Sequence, residues 1–407
     1  MRAARTAMNN TLPSKPSSAD LPTYPDLSSL SIEPSAQDIS NIAQHAQPPR
    51  IPPHRSHDPA NNLKRSDPFQ FGSRYLEEGD DIYEFNAWDH VETDATYREY
   101  AEIQYGRQRD APVSDFDKRR FNADPSKWWN LFYKNNTANF FKNRKWLQQE
   151  FPVLGQVTRN DAPPTTILEV GAGAGNTAFP ILAQNENPRL RIHACDFSRK
   201  AVELIRASEA YDERFIQADV WDVAATGPES LPPGLGEESV DVVLMIFIFS
   251  ALSPSQWSQA LRNIYTLLKP GGEVLFRDYG RGDLAQVRFK KGRYMEENFY
   301  VRGDGTRVYF FERVELIKIW GQWTDAGEKG QASEEAGRLN EGDGSTGHTG
   351  EDNDGGFEVV DVGVDRRLIV NRQRKLKMYR CWLQGRFRKR ARGIVGINST
   401  LHEKRYL

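Results

Sequence analysis

The chain has 407 residues, 38% of them hydrophobic, and its 54 basic and 56 acidic residues give a formal charge of −2. This length supports one main domain with additional segments, and the longest apolar run, at 242–249, is too short to cross a membrane. Two cysteines, Cys195 and Cys381, exclude a disulfide framework and a cysteine-rich metal site, so we expect a cytoplasmic protein without a bound metal.

The N-terminal part divides into a tail and an aromatic segment. Range 1–65 is rich in Ser, Pro, Ala and Asn, which predicts a disordered tail. Its first nineteen residues contain basic residues but no acid, which leaves a mitochondrial targeting peptide as the alternative location signal. Aromatic residues become frequent in 66–150 and culminate in WWNLFYKNN at 128–136, so this range is predicted to fold.

The central and C-terminal parts predict an α/β domain over 151–390. Short apolar runs alternate with amphipathic stretches, as in a parallel sheet with crossover helices. The predicted strands are 165–170, 190–195, 214–218, 240–249, 272–277, 357–364 and 376–387. A stretch with nine acids and two bases, 322–356, is predicted as a disordered acidic insertion, and 391–407 as a C-terminal tail.

The strongest motif is ILEVGAGAGNT at 167–177, an apolar strand followed by a glycine-rich turn. Gly171, Gly173 and Gly175 allow the backbone to approach a ligand closely. NAD-binding folds share this glycine pattern with methyltransferases, so the acidic residues around it must distinguish these two classes. Asp196, about 20 residues beyond the glycines, can accept hydrogen bonds from both ribose hydroxyls of a nucleoside. Glu169, two residues before the first glycine, is more typical of methyltransferases, where an acid at this place forms hydrogen bonds within the loop that meets the methionine part of the cofactor.

Two later signals also favour S-adenosylmethionine over NAD. Asp219, after the third predicted strand, suits an acceptor for an adenine amino group, and Val220 and Ile246 would flank the ring. The stretch LLKPGGEV at 267–274 recurs in methyltransferases of this architecture. The spaced signals together predict an S-adenosylmethionine-dependent methyltransferase.

The sequence restricts the methyl acceptor less tightly. Cys195 lies inside a predicted strand and is interpreted as a core residue, which disfavours the cysteine nucleophile that methylation of pyrimidine C5 needs. Methyltransferases that act on exocyclic amines commonly carry an (Asp/Asn)-Pro-Pro-(Tyr/Phe) motif after the fourth strand. This chain has MIFIFSAL there, at 245–252, which disfavours that class. Small molecules and proteins stay open as acceptors, and so does a non-catalytic RNA-binding module with a vestigial pocket.

Several stretches outside the general motifs carry a family resemblance. They are WNLFYKNN at 129–136, NFFKNR at 139–144, FRDYG at 276–280, ENFYVRGDGTR at 297–307, VNR at 370–372 and MYR at 378–380. On these stretches the chain resembles the tRNA 3-methylcytidine methyltransferases, from about residue 86 to 389. The resemblance implies a seven-stranded Rossmann-like class I methyltransferase with S-adenosylmethionine as cofactor and a lid and tRNA-binding segment at its N-terminus.

The resemblance also implies a substrate and a cofactor pocket. The expected product is 3-methylcytidine at position 32 of the anticodon loop of threonine or serine tRNAs. The expected partners are tRNA and, as a candidate, seryl-tRNA synthetase. Trp129 and Tyr133 would close over the cofactor, and the residues implied to line its pocket are Gly171, Asp196, Asp219, Val220 and Ile246.

A splayed RNA base needs aromatic stacking and basic phosphate contacts. The predicted stacking residues are Tyr279, Phe289, Tyr300 and Phe310, and the predicted RNA-binding residues are Lys142, Arg144, Arg277, Arg288, Arg302, Arg307, Arg372 and Arg380. Range 366–392 holds twelve basic residues and no acid, so it is predicted to bind phosphates rather than to form a merely solvated strand face. Because methylation at N3 makes the base cationic, Asp278 is the candidate catalytic carboxylate.

Overall fold

The computed structural model describes residues 74–76, 78–324 and 355–390. The predicted tails, 1–65 and 391–407, and most of the predicted insertion, 322–356, lie outside these residues. The strands are β1 (Ala87–Asp89), β2 (Thr165–Val170), β3 (Leu190–Asp196), β4 (Ile216–Val220), β5 (Val240–Ile246), β6 (Leu268–Tyr279), β7 (Tyr294–Glu296), β8 (Phe299–Val301), β9 (Arg307–Tyr309), β10 (Phe357–Asn371) and β11 (Leu376–Lys389). The helices are α1 (Ala95–Arg109), α2 (Asp115–Ala123), α3 (Pro125–Asn136), α4 (Leu147–Glu150), α5 (Pro152–Val157), α6 (Ala178–Leu182), α7 (Arg199–Arg206), α8 (Pro254–Leu267), α9 (Leu284–Val287) and α10 (Arg313–Gly321).

The main sheet has eight strands in the order β1-β10-β11-β6-β5-β2-β3-β4. The neighbours from β6 to β4 are parallel, and β11, β10 and β1 extend the sheet through antiparallel pairings. The chain proceeds from β2 outward to β4 and then restarts at β5 on the other side of β2. Open α/β sheets bind their ligands at such a reversal, outside the carboxyl ends of the strands.

Both faces of the parallel strands are buried. Alternate residues of β5 enter different hydrophobic clusters, with Val243 and Met245 in one and Leu244 and Ile246 in the other. Helices α8 and α10 contribute to the first cluster and α6 and α7 to the second. The predicted doubly wound α/β fold is therefore confirmed.

All seven predicted strands are present, and the short edge strand β1 adds an eighth that the sequence pattern did not indicate. The strand predicted at 240–249 ends at Ile246, because Phe247 has a φ of +60° and cannot continue an extended strand. The strand predicted at 272–277 is the middle of the longer β6, and the one predicted at 214–218 begins two residues later and ends at Val220. Strands β7, β8 and β9 form a separate small antiparallel sheet.

The C-terminal hairpin of β10 and β11 is held by ion pairs. Seven of the twelve cations of 366–392 pair with acids from elsewhere in the chain: Arg366 with Glu92, Arg367 with Asp89, Lys377 with Asp94, Arg380 with Asp283, Arg386 and Arg388 with Glu273, and Lys389 with Glu238. The prediction of one continuous phosphate-binding stretch is corrected accordingly. The exposed cations at the hairpin turn are Arg372, Arg374 and Lys375.

Within the predicted segment 66–150, the described residues form β1 and helices α1 to α4 and pack on the sheet domain. Side chains that cap helix starts define α1, α2 and α3, because Asp94, Ser114 and Asp124 each accept a backbone N–H of the first turn. The Tyr105 hydroxyl of α1 donates to Gln286 Oε1 of α9 at 3.1 Å. Within the described ranges, no helix has the length and apolarity to span a membrane, and no three potential metal ligands cluster.

Candidate active site

The parallel strands bring the predicted site residues to one edge of the sheet. In sheet order, β6 ends at Tyr279, Phe247 follows β5, Gly171 follows β2, β3 ends at Asp196 and β4 ends at Val220. Asp196 and Val220 are direct partners in the β3–β4 ladder. Because adjacent parallel strands end side by side, these residues line one crevice.

The loop after β2, here called the glycine loop (171–175), adopts a conformation that favours glycine. Gly171, Gly173 and Gly175 have φ values of +67°, +59° and +82°. A Cβ on Gly171 would lie 2.7 Å from the Ile248 side chain, and one on Gly173 would lie 2.5 Å from the Tyr133 hydroxyl. The backbone of this loop therefore lies closer to Ile248 and Tyr133 than a side chain would allow, and its approach to a ligand stays a prediction.

Asp196 joins the glycine loop to the start of α7. Gly173 N donates to its Oδ2 at 2.9 Å and Ser198 N donates to its Oδ1 at 2.8 Å. Burial raises the pKa of Asp196 to about 6, against the lowering effect of these two hydrogen bonds. A carboxylate has about four acceptor positions, so Asp196 retains capacity for the hydroxyls of a ribose.

The residues predicted to meet the adenine differ in placement. Asp219 accepts hydrogen bonds from Arg206 Nη2 at 2.9 Å and from Gln217 Nε2 at 2.7 Å. Val220 beside it is 46% exposed, and an exposed apolar side chain next to an acceptor suits a flat adenine ring. Ile246 is 3% exposed and belongs to the same hydrophobic cluster as Ala172 of the glycine loop, and its contact with the adenine stays a prediction.

Glu169 is a buried acid next to the glycine loop. Burial raises its pKa to about 7, while Arg144 and the Thr177 hydroxyl act in the opposite direction. Arg144 Nη1 also donates to Thr177 Oγ1 at 2.9 Å, so an arginine of the N-terminal segment reaches the loop. Within the part of the chain that the structure describes, Glu169 Oε2 has no hydrogen-bond partner. A buried acceptor of this kind suits a donor group on a ligand.

Helix α3 covers the glycine loop. Its Tyr133 is 5% exposed, with the hydroxyl against the loop, and Trp129 stacks on Tyr133 with ring centroids 6.1 Å apart. Asn130 Oδ1 accepts hydrogen bonds from Ser198 Oγ at 3.0 Å and Lys200 N at 3.1 Å. The helix is therefore fastened to the start of α7, just after Asp196, and the closure of Trp129 and Tyr133 over a cofactor stays a prediction.

These groups fit S-adenosylmethionine. Asp196 would bind the ribose, Asp219 and Val220 the adenine, and Glu169 with the glycine-loop backbone the methionine part. These groups match the ligand in kind, since the acceptors would meet its hydroxyl and amino groups and the apolar side chain would meet its ring.

A second group of side chains lies beyond the glycine loop, where two aromatic residues at the ends of β5 and β6 meet two arginines from other parts of the chain. We call Phe247, Tyr279, Arg144 and Arg302 the base cluster; all four are partly exposed. The rings of Phe247 and Tyr279 are 5.0 Å apart, the Arg144 guanidinium is 5.7 Å from the Phe247 ring, and the Arg302 guanidinium is 5.7 Å from the Tyr279 ring. Phe247 has a positive φ, a conformation that non-glycine residues adopt at a cost of about 1–3 kcal/mol and that concentrates at functional sites.

Asp278, the predicted catalytic carboxylate, is fully buried behind the base cluster. Ser250 N donates to its Oδ2 and Tyr279 N to its Oδ1, each at 2.8 Å. Burial raises its pKa to about 6. Through these two hydrogen bonds Asp278 fixes the loop after β5 and the direction of Tyr279, which is a positioning role, and its direct contact with the base stays a prediction.

Three of the predicted RNA-binding arginines are buried. Arg277, Arg307 and Arg380 are 2%, 4% and 4% exposed. Arg277 pairs with Asp365, Arg380 pairs with Asp283 at 2.8 Å, and Arg307 donates to side-chain and backbone oxygens. Their guanidinium groups are buried and bonded inside the protein, although Arg307 Nε has no hydrogen-bond partner among the described residues. This burial corrects the prediction that the three arginines contact phosphates.

The other RNA-binding candidates are accessible. Lys142, Arg288 and Arg372 are exposed, and Arg144 and Arg302 belong to the base cluster.

The predicted stacking residues also divide by burial. Tyr300 and Phe310 are 2% and 0% exposed and serve the core of the small sheet, while Tyr279 and Phe289 are partly exposed.

Phe247 and Asn130 are the site residues that the sequence reading missed. Phe247 lay within a run predicted as strand, and the signal available was its position directly after the expected end of a parallel strand. Asn130 stood among aromatic residues that drew attention to packing, and a single asparagine inside a helix carries no signal of its own.

Replacing Asp196 tests the cofactor pocket. In Asp196→Asn one acceptor oxygen remains for the backbone, whereas alanine would leave two buried N–H groups without an acceptor. We expect the dissociation constant for S-adenosylmethionine, measured by calorimetry, to rise about 10- to 100-fold, because a hydrogen bond to a charged group contributes about 1.5–3 kcal/mol. Asp212→Asn, which alters a surface carboxylate paired with Arg214, is the matched control. Unchanged affinity in Asp196→Asn would remove Asp196 from the pocket.

Glu169 should also make stability depend on pH. Its pKa lies above the ordinary value of 4.5, at about 7, so the folded state holds a proton that the unfolded state releases in this range. The free energy of unfolding of the wild type should therefore fall, relative to Glu169→Gln, as the pH rises from 4.5 to about 7. Urea denaturation at several pH values measures the difference, with the exposed Glu186→Gln as control. Parallel pH profiles for wild type and Glu169→Gln would contradict the assignment.

Comparison with known proteins identifies the family. A family model described as a methyltransferase domain matches residues 168–274. The tRNA(Thr) (cytosine(32)-N(3))-methyltransferase of Saccharomyces cerevisiae is 48% identical over 334 residues, which are 82% of this chain and 48% of that protein, so the chain spans about half of that relative. A tRNA N(3)-methylcytidine methyltransferase of Schizosaccharomyces pombe is 44% identical over 78% of this chain and 92% of its own length, and one of Drosophila melanogaster is 40% identical over 80% and 90%. Because identity at this level extends over nearly the whole of two relatives, the chain belongs to the tRNA N(3)-methylcytidine methyltransferases, enzymes that use S-adenosylmethionine.

Proposed function

We propose that this enzyme transfers the methyl group of S-adenosylmethionine to N3 of cytidine 32 in the anticodon loop of a threonine tRNA. The observation that carries the proposal is the base cluster, where Phe247 and Tyr279 lie with two arginines at the strand ends next to the glycine loop. An unpaired RNA base is bound by stacking on aromatic or guanidinium planes. The printed name of the Saccharomyces cerevisiae relative supports threonine tRNA and position 32.

The reaction demands positioning more than proton transfer. S-adenosylmethionine, when bound, supplies an electrophilic methyl group on a sulfonium. N3 of neutral cytidine carries a lone pair, so the protein need not remove a proton before attack. Phe247 and Tyr279 orient the base, and their π faces favour the positive charge that develops on it. Asp278 holds Tyr279 in place through the backbone.

Water exclusion is the second task of the chain. Helix α3 covers the glycine loop through Trp129 and Tyr133, and Asn130 fixes the helix to α7. A dry crevice strengthens the electrostatic interactions inside it and removes competing nucleophiles.

Three predictions from the sequence stay predictions. They are seryl-tRNA synthetase as a partner, serine tRNAs as alternative substrates and the cytoplasmic location.

The test is methyl transfer from labelled S-adenosylmethionine to threonine tRNA made without modifications, followed by mass spectrometry of the nucleosides. We expect 3-methylcytidine with this tRNA and none with a copy that has uridine at position 32. A serine tRNA assayed in parallel defines the range of substrates. Absence of 3-methylcytidine while the protein binds S-adenosylmethionine would overturn the proposal in favour of another acceptor or a non-catalytic module.

The stacking role of Phe247 has its own test. Phe247→Leu keeps an apolar side chain at the strained position but removes the ring, so we expect kcat/KM for tRNA to fall on the order of tenfold. Phe247→Tyr faces the same backbone strain, keeps the ring and should restore most activity. The dissociation constant for S-adenosylmethionine should stay unchanged in both variants. Equal kcat/KM for the leucine variant and wild type would exclude stacking on Phe247.

A further inference from the structure

An exposed basic loop connects α9 to β7. It comprises residues 288–293, Arg-Phe-Lys-Lys-Gly-Arg, and contains four cations and no acid. Arg288, Lys290 and Lys291 are exposed. We propose that this basic loop binds backbone phosphates of the substrate tRNA next to the nucleotide that enters the base cluster. The inference rests on the proposed function and specifies how the substrate is held.

The charge of the basic loop is not neutralised by its neighbours. The two acids that follow it in the chain are paired elsewhere, Glu296 with Lys118 at 2.8 Å and Glu297 with Arg109 at 3.3 Å. Among the described residues, no ion pair forms with Lys290 or Lys291. The loop therefore differs from the C-terminal hairpin, where most cations of the strands form ion pairs with acids of the same chain. Unpaired cations are what a polyanion recruits, because binding then releases the counterions of its phosphates.

The backbone of the basic loop is held in place. Gln108 Nε2 of α1 donates to Phe289 O at 3.1 Å, and Gly292 N donates to Ala111 O at 2.7 Å. Arg293 Nη1 donates to Arg302 O at 3.2 Å, which links the loop to an arginine of the base cluster. A loop whose backbone is already ordered loses little conformational entropy when its side chains contact a ligand.

A chain of ring contacts places the basic loop beside the proposed base site. Phe289 stacks on Tyr300 with centroids 4.8 Å apart, Tyr300 lies 5.8 Å from Phe310, and Phe310 lies 5.7 Å from Tyr279. Tyr279 is a member of the base cluster. The backbone of the basic loop is therefore joined to the base cluster through Phe310, which lies 6.3 Å from Phe289 and 5.7 Å from Tyr279, and the proposal assigns the phosphates next to the bound nucleotide to its lysines.

The test removes two of these charges and follows tRNA affinity and its dependence on salt. We expect Lys290→Ala/Lys291→Ala to raise KM for threonine tRNA about tenfold and to flatten the plot of log affinity against log salt by about 1.4, since each phosphate contact in single-stranded RNA contributes about 0.7. The value of kcat and the affinity for S-adenosylmethionine should not change. Each single variant should give about half of the slope change.

The matched control is Arg159→Ala/Arg214→Ala, which removes the same charge from two surface arginines that pair with Asp161 and Asp212. Its KM and salt dependence should equal those of wild type. An unchanged salt slope in the lysine variants, or a loss of kcat at constant KM, would overturn the inference. If wild type forms no 3-methylcytidine, the proposed function fails, and tRNA affinity measured by fluorescence anisotropy still decides whether the basic loop binds RNA.

Discussion

The reversal of strand order between β2 and β5 is the constraint on which the site depends. It separates the crevice into two halves that share one wall. On one side the ends of β2, β3 and β4 present the glycine loop, Asp196 and Val220, and on the other side the ends of β5 and β6 present the two aromatic residues of the base cluster, Phe247 and Tyr279. The close approach of Ile248 to Gly171 brings the two halves into contact, so a cofactor and an acceptor bound to them would meet near this point.

Three buried acids make this edge costly to fold. Glu169, Asp196 and Asp278 have pKa values raised by burial to about 7, 6 and 6. Backbone N–H groups partly offset the burial of Asp196 and Asp278, and in doing so they tie β3 to the glycine loop and β6 to the loop after β5. The strained backbone of Phe247 adds to the cost. Such departures from the most stable arrangement concentrate where a protein positions a reaction, and here they all lie at one end of the parallel strands.

Sequence patterns could predict those features that depend on residues close together in the chain. The strands of the sheet, the positive-φ glycines and the acid at the end of β3 follow from local alternation and spacing, because parallel strands are buried on both faces and their loops need particular residue types. The burial of Arg277, Arg307 and Arg380 could not be predicted in this way. Their main partners, Asp365, Asn122 and Asp283, are distant from them in the sequence, and only the fold determines which groups meet.

The same reasoning explains how a chain with a net charge of −2 can serve as a partner for a polyanion. Charge counted along the sequence pointed to 366–392, where the cations are most dense, yet seven of them pair with acids of the N-terminal segment, of β6 and of the loops before β5 and α9. The basic loop has fewer cations, but its neighbouring acids are already paired with Lys118 and Arg109. For an interaction with phosphates the relevant quantity is the charge left unpaired near the site, because an internal ion pair has already lost the field that would attract RNA. A dense run of arginines can therefore stabilise the fold through internal ion pairs, while a short loop with unpaired cations contacts the phosphates of RNA.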